Sequence, residues 1–489
     1  MSKYDYDVLV IGGGIGGFAS ALTANALGKK VAIVEKARLG GNCTWYTCIP
    51  SKALVKAGNI CHQLQSVADF GLKAKAPIEF NTDNVMAHVR SVVDKVHNFD
   101  RPETFARVGI EVINGRAEFV DHRRVRVGEN IISARNTIIA TGSRPFVPQI
   151  EGVEGIPYLT NETVFNLNTL PKSMIILGGG LSGVEFCSAF VRLGVEITVV
   201  EASDRMLARE DRELVVMLRK RLESLGARIL TGHKPLKFSG TKGKISLTVE
   251  DSEGKTKRLE AESVLITTGR RLNLEKLGLE KAGIKYKLRG IVTNKKLQTT
   301  ASNIYACGDA VGPYQFATMA EYQGIIAAQN AILPFKKSVN YRNVVWVIFT
   351  DPELGHSGMT EDEARRKFGP KIKVYRHRYS RVRRAMVDGA EEGLSKFIFD
   401  NHGKLVGVHI LGQHAEELIH EAQLLVSFDN HLGKVHNAIH AYPTYSEAVI
   451  KRMADLNYIE TMRANPFIRA ALKILPGFRD NLGSISDKL

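Results

Sequence analysis

A mostly apolar run at residues 6–10 predicts a buried strand, a glycine cluster from Gly12 to Gly17 breaks it, and residues 18–27 carry a helical pattern. A second apolar strand at 31–34 ends on Glu35. The same succession returns as strand 174–177, the turn Gly178-Gly179-Gly180-Leu181-Ser182-Gly183, helix 184–193, and strand 196–200 ending on Glu201. In each copy 23 residues separate the first glycine from the acid. Such a βαβ unit lets backbone approach a pyrophosphate at a helix N-terminus, while the acid takes ribose hydroxyls. Gly12, Gly14 and Gly17 with Glu35 and Lys36 form one candidate dinucleotide site; Gly178, Gly180, Gly183 and Glu201 form a second. A carboxylate at Glu201 favours a 2′-hydroxyl over a 2′-phosphate, so NAD(H) is expected, although Arg205 lies close enough in sequence to blur the preference.

The remaining pattern is β-rich. Strands are expected up to the Thr-Gly turns at Thr141-Gly142 and Thr268-Gly269, and another at 304–309 ends on Asp309. From about residue 341 strands alternate with two helices to about 460, and the last stretch reads as an appendage. The expected fold is α/β, with two Rossmann-like domains and a C-terminal α+β interface domain. Its segments are 1–149, with the first glycine loop, 150–270, with the second, 271–338, 339–460 and a tail at 461–489.

Composition narrows the class. Apolar content of 44% and charge of 24% are those of a globular protein. No run approaches the ~18 apolar residues of a membrane span. The first strand begins too early for a signal peptide, so a cytoplasmic location is expected. Five cysteines in 489 residues are too sparse for a structural disulfide framework. A net charge of +16 favours anionic partners, but no nucleic-acid-binding motif accompanies it, and the basic run at 376–384 reads as a solvated strand and turn. Seven of the 14 histidines fall between His402 and His440 without a zinc spacing, so no metal site is expected.

The chemistry concentrates at Cys43 and Cys48, separated by four residues and followed by Pro50 and Ser51. The pattern suits a disulfide at the start of a helix, where the helix N-terminus favours thiolate. Two ordinary reduced cysteines are the alternative. Just downstream of a dinucleotide site, the pair points to a flavin-linked redox enzyme.

With these motifs in order, and with Cys307-Gly308-Asp309 and Phe349-Thr350-Asp351-Pro352-Glu353 following, the chain resembles the two-dinucleotide disulfide oxidoreductases over residues 5–460. That family includes dihydrolipoamide dehydrogenase, glutathione reductase and mercuric reductase. The resemblance implies FAD on the first unit, held by Gly41, Asn42, Ala117, Thr141, Gly142, Ser143, Asp309 and Ala317, and NAD(H) on the second, with Gly269 nearby. It implies a Lys52–Glu185 pair beside the flavin, Cys48 as the flavin-side thiolate, and Cys43 as the interchange thiol. It further implies that 1–149 and 271–338 are the two parts of an FAD-binding domain, 150–270 an NAD-binding domain and 339–460 the interface domain of a homodimer, with a shared active site acting on a small or carrier-bound disulfide or thiol. Cys61, Cys187 and Cys307 read as packing residues.

The resemblance also exposes a departure. Lipoamide and glutathione enzymes carry His-Pro-Thr with a following Glu; here the run is Tyr442-Pro443-Thr444-Tyr445-Ser446-Glu447. Positioned acid–base catalysis contributes about 10²–10⁴-fold, and an ordinary tyrosine is a poor base at neutral pH. His440, two residues upstream, would sit ~6–7 Å away along an extended segment. The tyrosine resembles mercuric reductase and its relatives, yet the cysteine pairs those enzymes use to pass metal inward are absent. Trp45, Tyr46 and Thr47 replace small residues of the family loop, suggesting either a distinct substrate mouth or packing.

Three functions are therefore expected in order: a mercuric-reductase-like disulfide oxidoreductase with Tyr442 in the base position; a dihydrolipoamide dehydrogenase; or a redox-sensing binding subunit of a larger assembly. The last is motivated by the tail, where Phe467, Ile468, Ala471, Leu472 and Leu475 recur at helical spacing among Arg463, Arg469 and Lys473. That amphipathic pattern suits packing on the dimer, a weak membrane-surface contact, or a protein partner.

Overall fold

The computed structural model describes residues 3–73, 81–428 and 432–474. A seven-stranded sheet is built around Tyr6–Ile11. Ile110–Asn114, Val31–Glu35, Tyr6–Ile11, Asn130–Ile139 and Ile304–Ala306 run parallel, and Arg124–Val127 and Ala117–Phe119 extend the sheet as an antiparallel ribbon. Val8, Leu9 and Val10 are wholly buried, as a strand covered on both faces requires, which is why the run is continuous rather than alternating. Ile304–Ala306 joins this sheet beside Asn130–Ile139 only after the second glycine-loop unit has been built, so the chain returns to its first sheet at that strand.

The second unit is a four-stranded parallel sheet, Arg228–Thr231, Glu196–Glu201, Ser173–Leu177 and Ser263–Ile266, carrying a three-stranded antiparallel sheet, Lys234–Thr241, Lys244–Glu250 and Thr256–Ala261. The third is a five-stranded antiparallel sheet: Val345–Ile348, Glu353–Gly358, Leu405–Gly412, Leu394–Phe399 and Lys373–Arg378. Its helix Ala415–Ser427 buries Ala415, Leu418, Ile419 and Ala422.

Both glycine-loop helices begin three residues earlier than the pattern predicts, at Ile15 (Ile15–Ala26) and Leu181 (Leu181–Arg192). The reason is close packing. A Cβ on Gly17 would stand 1.9 Å from the Gly12 carbonyl oxygen, and one on Gly183 would stand 2.0 Å from that of Gly178. These glycines belong to the first helical turn because nothing larger fits there.

The interface unit holds more helix than expected: Glu361–Phe368, Arg383–Val387, Ala415–Ser427 and Arg452–Ala464. The first carries a Thr360/Glu363 capping box that the sequence reading passed over. The basic run is only partly solvated. Arg376 pairs with Glu213 and Glu361, while His377 and Tyr379 are buried. The tail forms the helix Pro466–Ile474, leaving Phe467 and Ile474 exposed; Leu475 lies outside the described residues. Among the described residues no helix is long and apolar enough to cross a membrane.

Candidate active site

Two helices set the geometry. Gly41–Trp45 carries Cys43, and Cys48–Gln65 opens on Cys48, so the second cysteine occupies a helix N-terminus as its spacing suggested. Both cysteines are free thiols, half-buried. The Cys43 thiol donates a hydrogen bond to the Cys48 sulfur, and with help from Thr47 and the nearby Lys52 ammonium this pulls Cys48 down to about 6 against its burial. The same hydrogen bond, with burial, pushes Cys43 well above the ordinary thiol range. One sulfur is poised as thiolate and the other holds the proton.

One helical turn after Cys48, Lys52 reaches across to the second glycine-loop helix. Its Nζ lies 3.1 and 3.0 Å from the two Glu185 oxygens. The Glu185 side chain is 9% exposed, and its Oε1 also accepts from the Phe349 amide at 2.9 Å. The ammonium sits 4.2 Å over the Phe349 ring. Three segments distant in sequence thus lock around one ion pair.

These groups share a cavity of about 800 Å³. Of the expected site residues, Gly14, Asn42, Cys43, Cys48, Lys52, Gly142, Glu185, Asp309 and Ala317 line it. A second pocket of about 370 Å³ lies on the far side of the first glycine loop, lined by Gly12, Glu35, Lys36, Ala117 and Thr141. Ser143 lines neither, yet it ties together three residues of the larger cavity. Its hydroxyl donates to Asp309, its carbonyl accepts from the Asn42 amide at 2.6 Å, and the Arg270 guanidinium binds both its hydroxyl and its carbonyl. Gly17 and Gly41 act from below: a Cβ on Gly41 would come 2.8 Å from Gly14 Cα. The Thr141 hydroxyl is buried without a partner beside this path. A polar atom awaiting a partner, glycines that leave the loop bare and two pockets end to end fit an extended dinucleotide with its pyrophosphate at the Ile15–Ala26 helix.

The second loop repeats the first. Glu35 accepts from the Gly13 and Ala37 amides at 2.7 and 2.8 Å; Glu201 accepts from the Gly179 and Ser203 amides at the same distances. Each acid is thereby fixed at its strand end. Gly180 faces open space, and Arg205 turns its guanidinium to the Ala208 carbonyl. Gly178, Gly183, Glu201 and Gly269 stand outside both pockets' linings.

Tyr442 and Glu447 are not brought to the dithiol within one chain. Tyr442 is 61% exposed, and its hydroxyl accepts from Arg383 at 2.9 Å. Glu447 begins a π-helical turn and its amide donates to the Thr444 hydroxyl. His440 is held by its Nε2, 2.9 Å from Glu421, with its Nδ1 towards the Ala438 carbonyl. The loop bulk divides: Trp45 packs on His97 and Arg38 and donates to the Leu39 carbonyl, whereas Tyr46 and Thr47 line the cavity.

The sequence reading missed Arg270, Phe316, Trp346, Phe349 and His420, all of which line the same cavity. Arg270 directly follows the Thr268-Gly269 turn, so its signal was present. Trp346 and Phe316 stack at 5.3 Å, with Trp346 in turn stacked 3.6 Å from His356, a juxtaposition no local pattern reveals.

Comparison with known proteins agrees with this geometry. Residues 6–324 match the model of the pyridine nucleotide-disulphide oxidoreductases, and residues 344–453 match their dimerisation domain. Dihydrolipoyl dehydrogenase of Bacillus subtilis (strain 168) is 34% identical over 91% of this chain and 96% of its own length. Mercuric reductase of Bacillus cereus is 33% identical over 91% of this chain and 71% of its own. Among solved structures, the Cu(II) complex of the HOCl-induced flavoprotein disulfide reductase RclA from Escherichia coli superposes with a TM-score of 0.82 at 28% identity, covering 93% of this chain and all of that one. Two glycine-loop units, a dimerisation domain and a cavity shared by a dithiol and an ion pair make this chain a member of the pyridine nucleotide-disulphide oxidoreductases, enzymes that use FAD and NAD(P)H.

Proposed function

We propose that the protein is an NADH-dependent disulfide oxidoreductase of the mercuric-reductase-like kind, with Cys43 and Cys48 as its redox-active pair. The observation that carries this reading is the dithiol at a helix N-terminus, in one cavity with Lys52, Glu185 and Asp309. Bound FAD supplies the two-electron carrier between nicotinamide and disulfide. The chain's own residues then divide the work. Asp309, Ser143 and Arg270 would form a polar anchor for the cofactor's polyol, and Lys52 places its Nζ beside the dithiol. Cys48 retains negative charge, and Cys43, which keeps the proton, is the interchange thiol. The fixed Glu201, with Arg205 turned to a carbonyl, supports NADH over NADPH.

The acceptor follows from what removes the Cys43 proton. Tyr442 and Glu447 lie off their own chain's cavity, in the dimerisation domain, which supports their serving a second copy. With tyrosine there, and His440 engaged through both ring nitrogens, the motif itself offers no free imidazole to take that proton. This favours an acceptor that does not need a thiol–disulfide exchange base: a reactive small disulfide, or a thiol-bound species such as a soft metal ion. The Cu(II) complex formed by a similar flavoprotein supports including metal ions in the screen. The test is steady-state turnover of NADH against lipoamide and against small oxidants, in the wild type and in Tyr442→His. If wild-type lipoamide turnover is already efficient and histidine adds nothing, the mercuric-reductase-like reading fails and the dihydrolipoamide dehydrogenase reading replaces it.

A further inference from the structure

The Thr47 hydroxyl has one proton and two acceptors in reach. Its Oγ1 lies 3.0 Å from the Asn42 carbonyl oxygen and 3.6 Å from Cys48 Sγ. The first contact ties the end of the cysteine loop to its beginning; the second reaches the reacting sulfur. Asn42 is itself anchored, its side-chain amide clamped to the Ser143 carbonyl, so the alternative acceptor is fixed in place.

We infer that Thr47 is a redox-dependent donor: it bonds the Asn42 carbonyl when Cys43 and Cys48 are joined and turns to the Cys48 thiolate when they are reduced, so favouring the reduced pair. The inference rests on the assignment of these cysteines as the redox pair. In the step concerned, a hydride equivalent from NADH enters, the sulfur–sulfur bond breaks, its electron pair goes to the sulfurs, the one proton stays on Cys43, and Cys48 is left as thiolate. A disulfide sulfur is a weak acceptor and a thiolate a strong one, so the hydroxyl gains by turning only in the second state. The lowered Cys48 thiol, to which Thr47 contributes, agrees with this direction. A residue without a hydroxyl at this position would leave the thiolate to Cys43 and Lys52 alone.

Thr47→Val keeps the volume and removes the donor; Thr47→Ser restores it. Two quantities are read on the FAD-loaded protein: the pH dependence of alkylation of Cys48, and the disulfide fraction in dithiothreitol redox buffers scored by mass after alkylation. Thr47→Val is expected to cut the thiolate fraction near pH 6 several-fold and to move the dithiol–disulfide equilibrium about tenfold towards disulfide, which is about 30 mV for a two-electron couple. Thr47→Ser is expected to stay within about twofold of wild type, a margin of about 9 mV on the same constant. A Thr47→Val protein with unchanged alkylation profile and equilibrium overturns the inference, as does a serine variant that behaves like valine. Failure of the wild type to form any Cys43–Cys48 disulfide overturns instead the assignment beneath it.

Discussion

Lys52 and Glu185 meet at 3.0 Å across the boundary between the two nucleotide-binding units. The lysine stands on the helix that begins at Cys48, and the glutamate on the helix that follows the second glycine loop. The pair fixes the dithiol helix relative to the second glycine-loop unit and places one cation within reach of the Cys48 sulfur. Removing Lys52 would strand a mostly buried carboxylate. Lys52→Met is expected to lose about 1–3 kcal/mol of stability, between the cost of breaking an exposed pair and that of a fully buried one, because the lysine is 35% exposed. Denaturant melts check this; Lys52→Met combined with Glu185→Leu should recover part of the loss.

The thiol pair predicts a sign in pH. Cys48 ionises at about 6, mainly because Cys43 donates to it. Alkylation of the reduced protein by iodoacetamide should therefore hold its rate above that pH and fall as pH drops through it. Cys43→Ala removes the donor, so the midpoint for Cys48 should move upward by about one unit, the scale of a single hydrogen bond to a charged group. An unmoved midpoint would mean that helix and lysine alone set the thiolate.

Tyr442 predicts a gain of function. Tyr442→His should raise NADH–lipoamide turnover by about 10–100-fold, part of the range for positioned acid–base catalysis. Tyr442→Phe should change that reaction little. Initial rates at saturating NADH decide the matter.

Two buried histidines predict acid sensitivity. His377 and His409 are both held at about 4, chiefly by burial, the first also by Arg452 and Arg381 and the second by the adjoining His356, with Asp211 and Glu210 acting the other way. Each has a buried ring nitrogen without a partner, His377 Nε2 and His409 Nδ1. Their folded values lie below the ordinary 6.5, so the unfolded chain binds the extra protons. Stability is therefore complete above about pH 6.5 and falls as pH drops towards 4, by up to about 1.4 kcal/mol per pH unit per group. Asp211, whose carboxyl is held low by the His409 and Lys396 charges against its burial, extends the loss to lower pH. Urea melts at pH 7 and pH 5 should differ by about 2–4 kcal/mol, and His409→Gln should flatten the slope by about half.

The architecture was legible wherever a physical constraint acts locally. Gly12, Gly17, Gly178 and Gly183 are where no side chain fits, and Glu35 and Glu201 end the strands that follow. The cysteine spacing announced a helix start because Cys48 is one. What stayed illegible was assembled from distance: the Phe316–Trp346–His356 stack, the Ser143 junction between Asn42, Arg270 and Asp309, and the engagement of His440 by Glu421 rather than Glu447. Trp45 resisted reading for the same reason, since its partners His97 and Arg38 lie on other elements.

The central claim is that electrons pass through the Cys43–Cys48 pair. Its most direct test is to oxidise the FAD-loaded protein, add one equivalent of NADH without oxygen, alkylate, and locate free thiols by peptide mass. The account predicts a Cys43–Cys48 disulfide before NADH and two newly labelled thiols after it, with Cys61, Cys187 and Cys307 unchanged. A pair that stays equally labelled before and after reduction, while NADH is consumed, would contradict it.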